Sequence, residues 1–306
     1  MSIRQFPLDY KLLHALDVVV REQSFERAAK VLALTQSAVS QRIKLLEQTM
    51  AQPLLIRTTP LTPTPIGQQL LGHYRQVNQL ERELLQQVSP EGSDLPLTIS
   101  MAVNADSLAT WFLPALAPLL ATHPIALDLR IDDETRTLER LRQGEVFGAV
   151  SCLAKSLPGC HAEPLGVMEY VLVCSPTFYD KHFAQGLTRD SLSSAPGVAF
   201  DQRDDMHVSY MQECFALPAG SYPCHTVRSS EAFIALAKAG VAYCLIPRLQ
   251  ILDELASGQL LALTSPPLYR HLYWHRWILE RGLYQQISRA LLQYARAHLP
   301  QQEASP

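Results

Sequence analysis

The six cysteines of this 306-residue chain include no Cys-x-x-Cys pair; they stand alone at Cys152, Cys160, Cys174, Cys214, Cys224 and Cys244. That spacing excludes a zinc ribbon and a thioredoxin-type redox motif, and it fits reduced thiols. Gly-x-Ser-x-Gly, Walker and dinucleotide-binding glycine patterns are also missing, so neither a nucleophile elbow nor a phosphate cradle is on offer. No catalytic residue and no enzymatic cofactor is therefore assigned. The most apolar stretch, Leu108 to Ala121, is too short to span a bilayer and is broken by Pro114 and Pro118. The opening MSIRQFPLDYKLL lacks the apolar centre of a signal peptide. The expectation is a cytoplasmic protein with no membrane partner. His271 and His275 would face one metal on a helix. Their surroundings read as a strand instead, which sets them about 13 Å apart on one face, and no metal site is expected.

A net charge of −3 conceals an asymmetry. Residues 1–90 hold ten Lys and Arg against seven Asp and Glu, and the remainder holds sixteen against twenty-two. A basic N-terminal part joined to an acidic C-terminal part fits nucleic-acid binding at one end only. Length suits two or three domains, and a hydrophobic content of 47% is ample for their cores.

The informative segment is SFERAAKVLALTQSAVSQRIKLLE, from Ser24 to Glu47. Thr35 and Ser24 can each cap a helix, because a hydroxyl oxygen accepts from an orphan N–H of the first turn. Val39, Ile43, Leu46 and Met50 recur at steps of four, three and four, the buried stripe of an amphipathic helix. Its other face carries Gln36, Ser37, Ser40, Gln41 and Lys44, with no carboxylate before Glu47. A helix that enters the major groove must be built this way, since phosphates repel acidic side chains. The first helix packs through Phe25, Ala28, Ala29 and Leu32, and the alanine pair permits close approach. An ordinary helical hairpin with a solvated polar face would show the same amphipathicity.

An earlier helix is expected over 8–22. Residues 52–64, rich in Pro and Thr, suit a short hairpin in which Arg57 is positioned to meet a phosphate. From Ile66 the pattern is helical again, with Leu70, Tyr74, Val77, Leu84 and Val88 on one stripe and Glu81 in the gap. Such a stripe needs a partner helix; packing onto the rest of its own chain would also cover it. SPEGSDLP, from Ser89, reads as a linker. Beyond it strands at 97–103, 125–131, 149–152, 170–174, 242–246 and 271–277 alternate with helices at 107–121, 137–143, 206–215, 230–239, 251–256 and 284–298. That alternation implies α/β sheets.

Residues 8 to 67 resemble the winged helix-turn-helix of the LysR-type transcriptional regulators. The matching residues are Phe25, Ala28, Ala29, Leu32, Gln36, Ser37, Ala38, Ser40, Ile43, Leu46 and Glu47, then Pro53, Leu54, Leu55, Arg57, Leu61, Thr62, Thr64 and Gly67. The resemblance implies an α/β fold class with an N-terminal all-α winged helix-turn-helix over 1–64. It further implies a linker (dimerisation) helix over 65–90 and a two-lobed, periplasmic-binding-protein-like effector domain over 91–306. The first lobe would take about 95–164 and 267–300, the second about 165–266, with crossings near Pro164 and Pro266. Expected partners are double-stranded DNA, a second copy in a homodimer that pairs into a homotetramer, and RNA polymerase. Gln36, Ser37, Ser40, Gln41, Lys44 and Arg57 would contact DNA.

Within the family, SMAVNADSLATWFLPALAP, DDETRTLERLRQGEVFGAVS, AFDQRDDMH and SSEAFIALAKAG resemble a subgroup that senses lysine and arginine. Many other members carry Asp at a position in the strand where this chain, like that subgroup, has Gly148. The resemblance implies control of genes for basic amino-acid export or lysine metabolism. Alternatives are another small-molecule effector, or inhibition of chromosome initiation through DNA binding. An amino acid presents a carboxylate, which suits a helix N-terminus, and cations, which need carboxylates. Asn104, Asp106 and Ser107 at one expected helix start, and Ser230 and Glu231 at another, are candidates. So are Asp132, Asp133, Glu134 and Thr135 in one acidic loop and Asp201, Asp204 and Asp205 in a second; solvated loop charges and helix caps would look the same. A periplasmic receptor would share the lobes but carry an export signal and lack residues 1–88. A purely architectural DNA protein would not need the α/β part.

Overall fold

The computed structural model describes residues 8–88, 96–132, 136–200 and 205–301. The chain forms two compact units, one of residues up to Pro96 with Glu139–Phe147, the other of Leu97–Leu138 and Gly148 onward.

The N-terminal unit begins with α1 (Tyr10–Glu22), α2 (Phe25–Val31) and α3 (Gln36–Met50). Asp9, Ser24 and Thr35 cap them, each accepting from a backbone N–H of the first turn. Val39, Ile43 and Leu46 of α3 are buried with Leu13, Leu16, Val19 and Ala28, so the stripe read from spacing is the core face. The wing, β1 (Leu55–Ile56) and β2 (Thr62–Pro63), is an antiparallel pair. It is fastened to the helices at both ends. Glu47 accepts from the Leu54 N–H at 2.9 Å, and the Gln23 amide donates to the Leu61 carbonyl at 2.8 Å. α4 (Pro65–Val88) follows. Gly67 seats it, because a Cβ there would lie 2.2 Å from the Leu54 carbonyl oxygen. Leu71 and Tyr74 enter the core while Leu84, Leu85 and Val88 are 57%, 60% and 63% exposed. Among the described residues the upper half of the stripe is exposed.

In the second unit β3 (Leu97–Val103) leads into α5 (Ala105–Ser107), a π-helical turn at Leu108–Phe112 and α6 (Leu113–Thr122). Where sequence reading expected one regular helix, the π turn intervenes directly before Pro114, which has no N–H to continue the regular ladder. Then come β4 (Ile125–Ile131), α7 (Thr137–Arg142), β5 (Gly148–Ser151), β6 (Cys160–Cys174), α8 (Pro176–His182), α9 (Arg189–Ser194) and β7 (Gly197–Ala199). They are followed by α10 (Asp205–Phe215), β8 (Cys224–Thr226), α11 (Ser230–Lys238), β9 (Cys244–Pro247) and a 3-10 turn at Arg248–Gln250. The chain continues with α12 (Leu252–Ala256), β10 (Leu261–Ala262), β11 (Leu268–Trp277) and α13 (Gly282–His298). The main sheet runs β10-β6-β11-β5-β3-β4, and β9 joins β6.

Two lobes share β6 and β11. The first lobe holds β3, β4 and β5, parallel where β3 meets its neighbours, and α13 packs over α6. The second gathers β9, β10, α11 and α12 around the far half of β6, with Val171, Val173, Phe233, Cys244 and Ile246 in its core. β6 is far longer than the expected 170–174. It continues through Pro164 by a bulge, with Gly166 opposite Leu272 and Pro164 opposite Tyr273, so Leu165 is the extra residue. The strand expected around His271 and His275 is present as β11, and the His275 ring is bound to the Leu153 carbonyl at 2.7 Å.

Candidate functional sites

On α3 the side chains of Gln36, Ser37, Gln41 and Lys44 are exposed and Ser40 is half-buried, all on the face opposite Val39, Ile43 and Leu46. Ser37 Oγ lies 3.0 Å from Thr35 Oγ1, which orients it at the start of the helix. Arg57, exposed on the wing, holds its guanidinium carbon 5.7 Å from the centroid of the Phe25 ring, a cation–π distance. Glu47, the acid at the far end of the helix, is occupied by its bond to the wing backbone. This unit therefore presents uncharged donors and cations outward, from a helix and a hairpin that the core holds together.

The second unit has a cavity between its lobes. Its empty space, open solvent at the mouth included, is about 580 Å³. Asn104, Asp106 and Asp132 line it from the first lobe, and Phe200, Met206, His207, Ser230 and Phe233 from the second. Asp106 is held at both oxygens. The Tyr170 hydroxyl on β6 donates to Oδ2 at 2.7 Å, and the Ser230 hydroxyl at the first residue of α11 donates to Oδ1 at 2.7 Å. Ser230 Oγ is also 2.7 Å from Gln250 Oε1. His207, 2% exposed, stacks on Tyr243 at 22° between planes, and burial pushes the Tyr243 hydroxyl well above its ordinary pKa. The lining combines aromatic and apolar side chains with two carboxylates, an arrangement suited to a small cation-bearing molecule.

The structure brings Asn104, Asp106, Asp132 and Ser230 of the sequence candidates together. Ser107 was expected to open the helix. The helix N-cap is Asn104, so Ser107 falls in the first turn; it is fully buried and lies outside the cavity lining. Its Oγ has no hydrogen-bond partner among the described residues. Glu231 is exposed and accepts from the Ser229 hydroxyl at 2.8 Å, away from the cavity lining. Asp133, Glu134, Thr135, Asp201 and Asp204 lie outside the described residues; Asp205 opens α10, and its side chain is likewise outside the description. Tyr170, Phe200 and His207 were missed. They reach the site through tertiary contacts that carry no local spacing signal.

Residues 10–68 match the bacterial regulatory helix-turn-helix proteins of the lysR family, and residues 93–300 match the LysR substrate binding domain. The chain is 61% identical over 293 residues to the HTH-type transcriptional regulator ArgP of Aeromonas salmonicida, covering 95% of this chain and 98% of that protein. Against ArgP of Photobacterium profundum the identity is 54%, over 96% and 99%. In three dimensions it is similar to the crystal structure of ArgP from Mycobacterium tuberculosis, with TM-score 0.85 and 34% identity over 97% and 100% of the two chains. It is also similar to full-length LysG of Corynebacterium glutamicum with bound effector Arg, with TM-score 0.80 and 31% identity over 96% and 100%.

Proposed function

From the premise that this chain belongs to the LysR family of bacterial helix-turn-helix transcriptional regulators, we propose that it senses a basic amino acid, lysine or arginine. On this reading it controls genes for basic amino-acid export or lysine metabolism. The observation that carries the effector assignment is the placement of two carboxylates, Asp106 and Asp132, in the inter-lobe cavity. A carboxylate binds an ammonium or guanidinium more strongly than a neutral group, so a cation-bearing ligand is favoured over a neutral isostere. The arginine in the related LysG structure supports the same chemistry. Asn104, Asp106, Asp132 and Ser230 contact the ligand; Glu134, Thr135, Asp204 and Asp205 stay candidates on the sequence reading alone.

Gln36, Ser37, Ser40, Gln41 and Lys44 read or approach base edges, and Arg57 binds a phosphate. The exposed Leu84, Leu85 and Val88 at the end of α4 are the contact with a second copy, and such dimers pair into a tetramer. RNA polymerase is the partner of the DNA-bound assembly. Among the described residues no helix is long and apolar enough to cross a membrane, and a cytoplasmic location fits a DNA-binding regulator.

Calorimetric titration of the full chain with each proteinogenic amino acid tests the effector. Lysine and arginine should bind competitively, and norleucine, which lacks the tail cation, far more weakly. Norleucine binding as tightly as lysine, or no amino acid binding at all, overturns the assignment.

A further inference from the structure

Ser230 has one hydroxyl proton and two acceptors at 2.7 Å, Asp106 Oδ1 and Gln250 Oε1. A hydroxyl donates one hydrogen bond, so the two contacts are alternatives unless the Gln250 amide is turned to donate to Ser230. Resting on the basic-amino-acid reading above, we propose that Ser230 is an exchangeable stand-in for the ligand's cationic group at Asp106. In the free protein its hydroxyl satisfies the carboxylate; when the ligand arrives, an ammonium or guanidinium takes Oδ1 and the Ser230 proton turns to Gln250.

Each part of the exchange has a physical reason. Both bonds end on an ionised acceptor, but a cation adds a full charge–charge attraction that a neutral hydroxyl lacks, so the ligand wins the contest for Oδ1. Ser230 is 4% exposed, and a buried hydroxyl left without an acceptor would cost free energy. Gln250 removes that cost, because it is already at hydrogen-bond distance. Tyr170, 1% exposed on the strand shared by both lobes, keeps Oδ2 throughout. The carboxylate thus stays aimed into the cavity while its other oxygen changes partner. Tyr170 is a positioning residue, and Ser230 competes with the ligand.

The exchange predicts substitutions of opposite sign, measured by calorimetry with lysine and arginine on the full chain. Ser230→Ala removes the competitor and should tighten both ligands several-fold. Gln250→Ala removes the alternative acceptor, holds Ser230 on Asp106, and should weaken both. Asp106→Asn should weaken both by about tenfold or more, the worth of a hydrogen bond to a charged group. Thermal unfolding supplies the second readout. Ser230→Ala should lower the Tm of the free protein yet enlarge the increment produced by saturating lysine. A merely structural serine would leave that increment unchanged. If wild type binds lysine and Ser230→Ala binds it equally or more weakly, the exchange is overturned. If Ser230→Ala does not fold, unchanged or tighter binding by Gln250→Ala overturns it instead. If wild type binds no basic amino acid, the functional reading fails first, and the two failures are told apart.

Discussion

The indole of Trp274 occupies the space that a side chain at position 148 would need. A Cβ on Gly148 would lie 2.3 Å from Trp274 Cζ2. Trp274 is fully buried, and its Nε1–H donates to Ser288 Oγ at 2.9 Å. Ser288 in turn donates to Glu280, which also accepts from Arg276. Gly148 is thus one half of a packing pair. Gly148→Ala should destabilise the protein by about 1–3 kcal/mol through overpacking, seen as a lower urea midpoint and an altered near-ultraviolet tryptophan signal. Unchanged stability would mean that the indole has room to shift.

The polar face of α3 should separate reading from anchoring. Ser37→Ala, Gln41→Ala and Lys44→Ala should weaken specific DNA more than scrambled DNA wherever the side chain touches a base, by about 1–3 kcal/mol for a good pair. Arg57→Ala should weaken both about equally and lower the salt slope by about one unit. Gel shifts over a salt series decide the matter; equal losses on both DNAs for all three α3 substitutions would remove the base-reading role.

The upper stripe of α4 should hold two copies together. Leu84→Glu with Leu85→Glu places charge where the proposed partner's apolar surface lies, so sedimentation should show monomers. DNA affinity should fall by about a hundredfold as the two half-sites lose their tether. A dimer that survives the double substitution locates the contact elsewhere. Val77, named with Leu84 in the sequence pattern, is half-buried in its own unit and is the less clean target.

Stability should decline on mild acidification. Burial lowers the pKa of His275, opposed in part by its bond to the Leu153 carbonyl, and His182 is lowered too. Below about pH 6.5, the ordinary histidine value, the unfolded chain takes up protons that the folded chain resists. The stabilisation is complete above that pH and is lost as pH falls toward the folded values. His275→Gln should flatten part of this limb in urea midpoints measured between about pH 7.5 and 5.5; an unchanged slope would assign the limb to other groups.

Much of the DNA-binding unit was legible because its signals are local. The caps at Ser24 and Thr35 act within three residues, and Val39, Ile43 and Leu46 share a face by helical period alone. The first half of β6 was not legible. Pro164 was expected to mark a crossing between lobes, yet a bulge at Leu165 lets the strand continue through it. β7 and β8, three residues each, are too short to show alternation. In the cavity, Asn104, Asp106 and Ser230 could be read from the beginnings of helices. Ser107 was mistaken for the start of one because the N-cap lies three residues earlier, at Asn104. Tyr170 could not be read at all, since its hydroxyl meets a carboxylate 64 positions away.

The bonds from Glu47 to the wing backbone and from Gln23 to Leu61, with Gly67 pressed on Leu54, tie the hairpin to the helices. Such a reading head has a fixed alphabet. A single copy of this unit therefore meets a duplex with one arrangement of α3 and the hairpin.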